Sequence, residues 1–216
     1  MLNKSILAAG IGLLMSAAAA QAVPITTAPP PLIASGEVTA VYIFDDAGDT
    51  SILNELTPQA IAQIFCNHSG GGCTASATGD TVPLFPPPQN GPMVFTLENI
   101  STGTLFTSNV ADADGNYHAL ITSNYADFGI GALPGAAGTA LAGFPGSSIT
   151  FVGWEDLTLG QGSDFDYNDL IFAFVNTTLT PGPTAVIPEP LTLSLFGAGL
   201  AGLAYAGRRR GQKAKA

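Results

Sequence analysis

Basic side chains are missing from the whole middle of this sequence. The 216-residue chain has six Lys and Arg residues, all outside residues 23–187, whereas every Asp and Glu except Glu189 lies inside that stretch. The stretch therefore cannot form a Lys or Arg salt bridge, and its charge excludes nucleic-acid binding. Two carboxylates about 5 Å apart repel by roughly 3 kcal/mol at an effective dielectric near 20. Clustered acids must therefore separate, take up protons or hold a metal cation.

The sequence also lacks the motifs of common enzyme classes. It contains no G-x-S-x-G, no H-E-x-x-H and no P-loop. Without Lys or Arg, residues 23–187 cannot build a basic oxyanion or phosphate clamp or activate a thiolate through such a side chain. Glu155 and Asp156 could form a glycosidase pair, but adjacent residues on a strand point to opposite faces. We therefore predict that the protein is not an enzyme, with a glycan hydrolase as the weakest alternative.

Cysteine is scarce, with two residues, Cys66 and Cys73, close together in the chain. In an exported chain such a pair is predicted to form a disulfide, and closing this loop is worth about 2.5 kcal/mol in the chain-entropy model. The alternative is a Cys/His/Cys metal site that uses His68. A four-ligand zinc site would need another donor, for which His118 is the remaining histidine.

The N-terminus has the pattern of a secretory signal peptide. Lys4 is followed by the apolar stretch 6–20, and Ala20 and Ala22 form an A-x-A cleavage site. We predict that residues 1–22 are removed and that the chain is exported by the secretory route. The alternative, a retained membrane anchor, is disfavoured because the apolar run is short and lacks a basic flank after it.

The C-terminus combines a short motif, an uncharged segment and a basic cluster. Residues 191–207 carry no charge and would form a helix about 26 Å long, which is close to the thickness of the hydrocarbon core. The basic cluster would stop transfer and stay in the cytoplasm with the tail 211–216. The flanking motif residues are Pro188, Glu189, Pro190, Arg208, Arg209 and Arg210.

These three parts, in this order over residues 188–210, resemble the PEP-CTERM sorting signal. The resemblance implies recognition by an exosortase in a Gram-negative bacterium that makes exopolysaccharide. It further implies an inner-membrane intermediate, followed by delivery to the cell surface or the extracellular matrix. The same kind of tail is also labelled an ice-binding-protein C-terminal domain. An ordinary single-span anchor is the alternative, with the same topology and no cleavage.

The rest of the chain has the length of one domain. We predict that it spans residues 37–175, between Pro-rich and Thr-rich linkers at 23–36 and 176–187. Short β-branched and aromatic runs predict an all-β fold, a single sandwich of the jelly-roll kind. The predicted strands are 37–44, 93–97, 104–107, 117–122, 149–154 and 170–175. Helical potential occurs at 51–65, where Pro58 interrupts it, and 129–146 is predicted to be a loop.

Acidic and amide side chains cluster beside the last two predicted strands. If these strands are neighbours, the acids after the first and before the second lie at one edge of the sheet. A separate loop at 112–116 repeats the D-x-D-x-N spacing. Because Ca²⁺ binds six to eight oxygens, we predict calcium ligands in both places. The alternative is that these residues cap turns and keep the domain soluble. The candidate ligands are Asp112, Asp114, Asn116, Glu155, Asp156, Asp164, Asp166, Asn168 and Asp169.

The acidic segments also carry a family resemblance. Val-Gly-Trp-Glu-Asp at 152–156 and Asp-Phe-Asp-Tyr-Asn-Asp-Leu-Ile-Phe at 164–172 resemble the signature F-E-D … G-D-x-D-Y-N-D-[LV]-[VI]-F. This is the signature of the domain of unknown function numbered four-one-one-four. The match extends over about residues 85–175 and includes an Asp-Gly-Asn-Tyr-His element at 114–118. The resemblance implies a secreted, surface or matrix protein in which calcium is suspected.

Together these patterns predict an exported, calcium-binding protein of the cell surface or of an exopolysaccharide or biofilm matrix. The exosortase is the expected processing partner, and exopolysaccharide is a possible second partner. The alternative is a calcium-dependent module that binds carbohydrate or ice through an exposed sheet face.

Overall fold

The computed structural model describes residues 23–84 and 91–180, which all belong to one compact unit. The predicted signal peptide with Ala20 and Ala22, and the predicted sorting segment 188–210, lie outside these residues. Within the described ranges, no helix combines the length and the hydrophobicity required to span a membrane.

The described chain is mainly antiparallel β-sheet, which confirms the all-β prediction. A single helix-sized segment, α1 (Gly135–Ala142), and two short 3-10 turns interrupt the strands in these residues. The strands are β1 (Leu32–Asp45), β2 (Ser51–Thr57), β3 (Phe65–Cys66), β4 (Thr81–Leu84), β5 (Pro92–Asn99), β6 (Thr104–Thr107), β7 (Ala119–Thr122), β8 (Ile149–Trp154) and β9 (Leu170–Leu179).

The nine strands form one hydrogen-bonded network in the order β3-β2-β5-β1-β9-β8-β7, with β4 paired to β1 and β6 paired to β5. The long strand β1 joins two parts of this network, one that contains β4, β7, β8 and β9 and one that contains β2, β3, β5 and β6. Its first residues pair with β5 and its middle pairs with β4, while its pairing with β9 shifts register between Ala34 and Thr39. Strand β9 pairs with β1, and β8 pairs with β9. These two strands flank the acidic segments, which are therefore attached to the centre of the sheet.

An aromatic core lies between the two parts of the network. The rings of Tyr42 on β1 and Phe65 on β3 are 5.5 Å apart, and those of Phe95 on β5 and Phe174 on β9 are 4.3 Å apart. Since neither pair of strands is hydrogen-bonded, these contacts join strands that are not neighbours in the sheet. Offset and edge-to-face packing of buried rings at such distances stabilises a core beyond its buried area.

A second apolar cluster covers the opposite face of β1 and β9. Ala137 and Leu141 of α1 belong to it, together with Ile171 and Ala173 of β9. Ile171 and its neighbour Phe172 point to opposite faces, yet both are fully buried. A strand that is covered on both faces has a continuous apolar sequence, and this accounts for the apolar run of β9.

Two predictions of local structure were wrong. The segment 51–65 is not helical, because Ser51–Thr57 forms β2 and pairs with both β3 and β5. Buried Ile52 and Leu53 gain more from this pairing than from local helix propensity. The predicted loop 129–146 contains α1, which starts after Pro134, uses Ala and Leu, and buries one side on β1.

The predicted domain bounds were too narrow at both ends. Strand β1 begins at Leu32, inside the predicted linker 23–36, and Ile25 forms a bridge with Tyr117. Strand β9 continues to Leu179, inside the predicted linker 176–187. The sequence also gave no signal for β4, since it contains Pro83. An edge strand tolerates this proline because its missing N–H is not needed on the outer side.

Candidate metal centre

The predicted acids of the last two strands do meet at one edge of the sheet. Trp154, the last residue of β8, lies opposite Leu170, the first residue of β9. Glu155 therefore leaves β8 where the loop 164–169 enters β9. The prediction that these two strands are neighbours is confirmed.

Backbone conformation directs the side chains of the loop 164–169 to alternate sides. Phe165 and Tyr167 have φ values of 56° and 59°, which are uncommon for residues other than glycine. Both aromatic rings are buried in the second apolar cluster. The Tyr167 hydroxyl accepts the N–H of Ile25 at 2.8 Å and donates to the Tyr117 carbonyl at 3.1 Å. With these rings anchored inward, Asp164 and Asp166, which flank Phe165, are left at the sheet edge.

Gly153 is the point of closest approach between β8 and this loop. A Cβ atom at this position would overlap the carbonyl oxygen of Tyr167 and the ring of Phe128. The neighbours are a backbone atom and a buried ring, so they cannot move aside at low cost. Glycine in β8 is therefore required for the loop to lie against the strand.

Three carboxylates converge at this edge. Glu155, Asp164 and Asp166 each offer an oxygen, and these oxygens lie within 4.8 Å of one another. The Glu155 side chain is 2% exposed, whereas Asp166 is half-buried and Asp164 is exposed. Oε2 of Glu155 has no hydrogen-bond partner among the described residues. An unpartnered buried oxygen is costly, so this arrangement requires either a proton or a cation.

The electrostatics of the cluster also indicate that Glu155 requires a proton or a cation. Burial, followed by the nearby carboxylates of Asp169, Asp164 and Asp166, raises the pKa of Glu155 to about 8, although a hydrogen bond with the Ser163 side chain acts in the opposite direction. Burial also raises the pKa of Asp166. Without a cation, the folded chain therefore favours a protonated Glu155 at neutral pH. A divalent cation would displace this proton, because metal binding selects the deprotonated ligand.

The other three predicted ligands of this region, Asp156, Asn168 and Asp169, form hydrogen bonds that hold the loop and the end of β8 in place. Asn168 donates its backbone N–H to Oδ1 of Asp166 at 3.1 Å and its side-chain N–H to Oδ2 at 2.6 Å. Oδ2 of Asp169 accepts the backbone N–H of Asp156 at 2.9 Å. Burial raises the pKa of Asp169 to about 6 and also raises the pKa of Asp156. Of the six ligands predicted here, the geometric cluster unites Glu155, Asp164 and Asp166.

The loop 112–116 uses its acid differently. Oδ1 of Asp112 accepts the backbone N–H groups of Asp114 and Asn116, both at 2.9 Å, and Oδ2 lies 2.9 Å from Nε2 of His118. Burial pushes the pKa of Asp112 upward, but these hydrogen bonds outweigh it and hold the pKa below its usual value. Turn capping, the alternative to calcium, accounts for the contacts of Asp112.

The cysteine prediction is confirmed, because Cys66 and Cys73 form a disulfide. The alternative metal site at His68 does not form. Nε2 of His68 instead lies 2.9 Å from the carbonyl oxygen of Ala47.

Sequence reasoning missed a set of buried polar residues beside the acids. Ser51, Asn67 and Asn99 are all at most 5% exposed. The side chains of Ser51 and Asn99 bond to Asp156, and the side chain of Asn67 accepts the backbone N–H of Ser51. The one feature of the sequence that could have drawn attention to any of them is that Asn67 directly follows a disulfide cysteine. Nothing in their residue type marks them as neighbours of Asp156.

Comparison of the chain with protein-family models, with curated proteins and with solved structures gives no match. The resemblances to the sorting signal and to the numbered domain of unknown function therefore stay predictions based on short motifs.

Proposed function

We propose that this chain is an exported, non-enzymatic protein of the cell surface or extracellular matrix that binds calcium at Glu155, Asp164 and Asp166. The observation that carries the proposal is the unpartnered, buried Oε2 of Glu155, which lies in a group with two further carboxylates. A buried carboxylate oxygen that lacks a donor is expected to have a cation or a proton as its partner.

The donor set favours calcium over other common metals. All three candidate ligands are carboxylates, which suit hard cations, whereas structural zinc sites use mainly Cys and His. Calcium also tolerates irregular geometry better than magnesium, which demands a near-octahedral arrangement. The half-exposed cluster leaves room for water to complete the six to eight oxygens that calcium needs.

The proposal extends to fold and targeting. We infer that the two layers of strands form a β-sandwich of the jelly-roll kind, supported by the aromatic contacts between them. We propose that residues 1–22 direct export and that residues 188–210 direct sorting by an exosortase, supported by the order of the motif, the uncharged segment and the arginines. The disulfide fits an oxidising compartment.

A second candidate function is calcium-dependent carbohydrate binding. Asp164 is exposed, so an ion held by the cluster would keep coordination positions on the solvent side. Sugar hydroxyls could occupy these positions in place of water. A glycan array probed in calcium and in chelator tests this candidate. Selective binding that calcium supports and chelator removes favours it, and equal binding in both conditions rules it out.

Direct measurement of binding tests the main proposal. The chelator-treated oxidised domain is titrated with Ca²⁺ by calorimetry, and we expect saturable binding that Asp166→Asn weakens. Asp80→Asn is the matched control, because Asp80 is an exposed aspartate that caps a turn through the N–H of Ala77. Absence of saturable binding in the wild type, or equal binding in Asp166→Asn, contradicts the proposal.

A further inference from the structure

The disulfide loop holds a buried amide against the acidic end of the fold. Asn67, which follows Cys66, is 5% exposed. Its Oδ1 accepts the backbone N–H of Ser51 at 2.8 Å and that of His68 at 2.9 Å. Its Nδ2 donates to the carbonyl oxygen of Asp49 at 2.8 Å. One side chain thus fixes the backbone on both sides of the turn that enters β2.

The residues fixed by Asn67 act directly on the acids next to the cation centre. The Ser51 hydroxyl donates to Oδ2 of Asp156 at 3.0 Å, and both side chains are at most 2% exposed. Nδ2 of Asn99 bridges Oδ2 of Asp49 at 3.0 Å and the carbonyl oxygen of Asp156 at 2.9 Å. Asp156 is therefore held through its side chain and its backbone by groups that depend on the turn 49–51.

Asp156 passes this constraint to the centre. It is the chain neighbour of Glu155, and its N–H is bound by the carboxylate of Asp169. Asp169 in turn accepts the N–H groups of Asp46 and Ala47 at its carbonyl oxygen, at 3.0 and 3.3 Å. The position of the Glu155 carboxylate thus rests on contacts that start at the disulfide loop.

We propose that Asn67 is a positioning residue for the cation centre, and that the Cys66–Cys73 disulfide sets the affinity of the centre for its ion. The reduced chain binds the ion more weakly than the oxidised chain. This inference rests on the proposed function, and it adds a regulation that calcium binding alone does not imply.

The redox step is an ordinary thiol–disulfide exchange. The two thiols lose their protons and two electrons as the S–S bond forms, and a partner disulfide accepts the electrons and protons to become a dithiol. Before oxidation, no S–S bond closes residues 66–73, although the N–H of Ser76 still bonds to the carbonyl oxygen of Cys66 at 2.7 Å. Asn67 is then less constrained than in the oxidised chain. A chain of this kind would acquire its full affinity for the ion only after reaching an oxidising compartment.

The test measures ion affinity and ion hydration in the same samples. Tb³⁺ replaces Ca²⁺ as a luminescent probe, and its lifetimes in H₂O and D₂O report the number of bound water molecules. We expect the dissociation constant for Tb³⁺ to rise by about tenfold to one hundredfold on reduction and in Asn67→Ala, the usual effect of removing a group that orients a metal ligand. We also expect more bound water in both cases, because a loosened Glu155 is replaced by solvent.

Matched variants separate positioning from general loss of stability. Asn54→Ala removes an amide that bonds the backbone elsewhere on β2, through the N–H of Gln63. Ser51→Ala removes the donor to Asp156, whereas Ser108→Ala removes a hydroxyl of equal burial that accepts the N–H of Phe95. We expect Ser51→Ala to weaken Tb³⁺ binding and both control variants to keep the wild-type affinity and hydration.

The outcomes are distinguishable. If the oxidised wild type binds neither Ca²⁺ nor Tb³⁺, the proposed function fails and this inference fails with it. If the oxidised wild type binds and the folded reduced chain or Asn67→Ala binds equally well, the inference alone is overturned. Should the reduced chain unfold, Asn67→Ala and Ser51→Ala with the disulfide intact decide the question.

Discussion

The loops 112–116 and 164–169 share the same D-x-D-x-N spacing but have different structures. In 112–116, the first aspartate turns back on its own loop and binds two backbone N–H groups and His118. In 164–169, inward-pointing aromatic rings leave two aspartates at the sheet edge, where they meet buried Glu155 from β8. Spacing alone therefore does not bring three carboxylates together. The deciding partner comes from a neighbouring strand.

The largest effect is expected from the glycines that support the two loops. Gly153→Ala should destabilise the fold by about 3 kcal/mol, because the added Cβ overlaps Tyr167 and Phe128 in a packed region. Gly115→Ala should cost about 1 kcal/mol, since Gly115 has φ of 84° but open space around it. Chemical denaturation of both variants measures the difference. Equal costs would mean that the loop 164–169 does not depend on close contact with β8.

The stabilisation of the protein by calcium should depend on the loop 164–169 and not on the loop 112–116, with an effect almost as large. An ion that binds only the folded state adds about 2.7 kcal/mol at one hundred times its dissociation constant. We expect Ca²⁺ to raise the melting temperature beyond the effect of NaCl at equal ionic strength, because screening acts on all exposed acids and coordination on few. Asp166→Asn should weaken this response, and Asp114→Asn in the other loop should keep it. An unchanged response in Asp166→Asn contradicts the assignment.

The stability of the ion-free protein should depend on pH through Glu155, the buried acid beside the loop 164–169. The pKa of Glu155 is raised from 4.5 to about 8, so the folded state holds a proton that the unfolded state has lost between these values. The resulting stability is complete below the unfolded pKa and is lost as the pH rises towards 8. After discounting for solvent relaxation, we expect a loss of about 2 kcal/mol between these limits.

Denaturation at several pH values in chelator checks this prediction. Glu155→Gln should reduce the loss, because the amide stays neutral throughout the range, while the raised pKa values of Glu55, about 7, and Asp169, about 6, leave a smaller loss of the same sign. Saturating Ca²⁺ should oppose it, since the ion favours the ionised carboxylate. A stability that rises steadily from pH 5 to 8 in the ion-free wild type is the opposite sign and excludes a proton on Glu155.

The sequence predicted those features that depend on residue type and order. Short β-branched and aromatic runs located β6 and β8 at their observed bounds, and the close cysteines predicted their disulfide. The meeting of Glu155 with the loop 164–169 followed from pairing of the flanking strands. The prediction of helical potential for segment 51–65 failed because its first part pairs with two other strands. Local propensity contains no information about such pairing.

The details of the centre depend on long-range contacts that no local pattern encodes. The positive φ values of Phe165 and Tyr167 arise because both rings are anchored in an apolar cluster built from distant elements. Ser51 bonds to Asp156 from a different part of the chain, and Asn67 accepts the backbone N–H of Ser51. Short polar residues have many uses, so their role becomes visible when their partners are known.

The smallest effect is expected from the acid of the loop 112–116. Asp112→Asn keeps the size of the side chain and the acceptor for the backbone N–H groups of Asp114 and Asn116, but removes the charge that faces His118. We expect a loss of about 1 kcal/mol at neutral pH, the scale of a hydrogen bond to a charged group after partial compensation. Because the pKa of Asp112 is lowered, its contribution is present above the unfolded value and is lost as the pH falls through the folded value. The variant should therefore approach the wild type in strong acid while its calcium response stays unchanged. A calcium response abolished by Asp112→Asn would return this loop to the list of cation ligands and remove the distinction between the two loops.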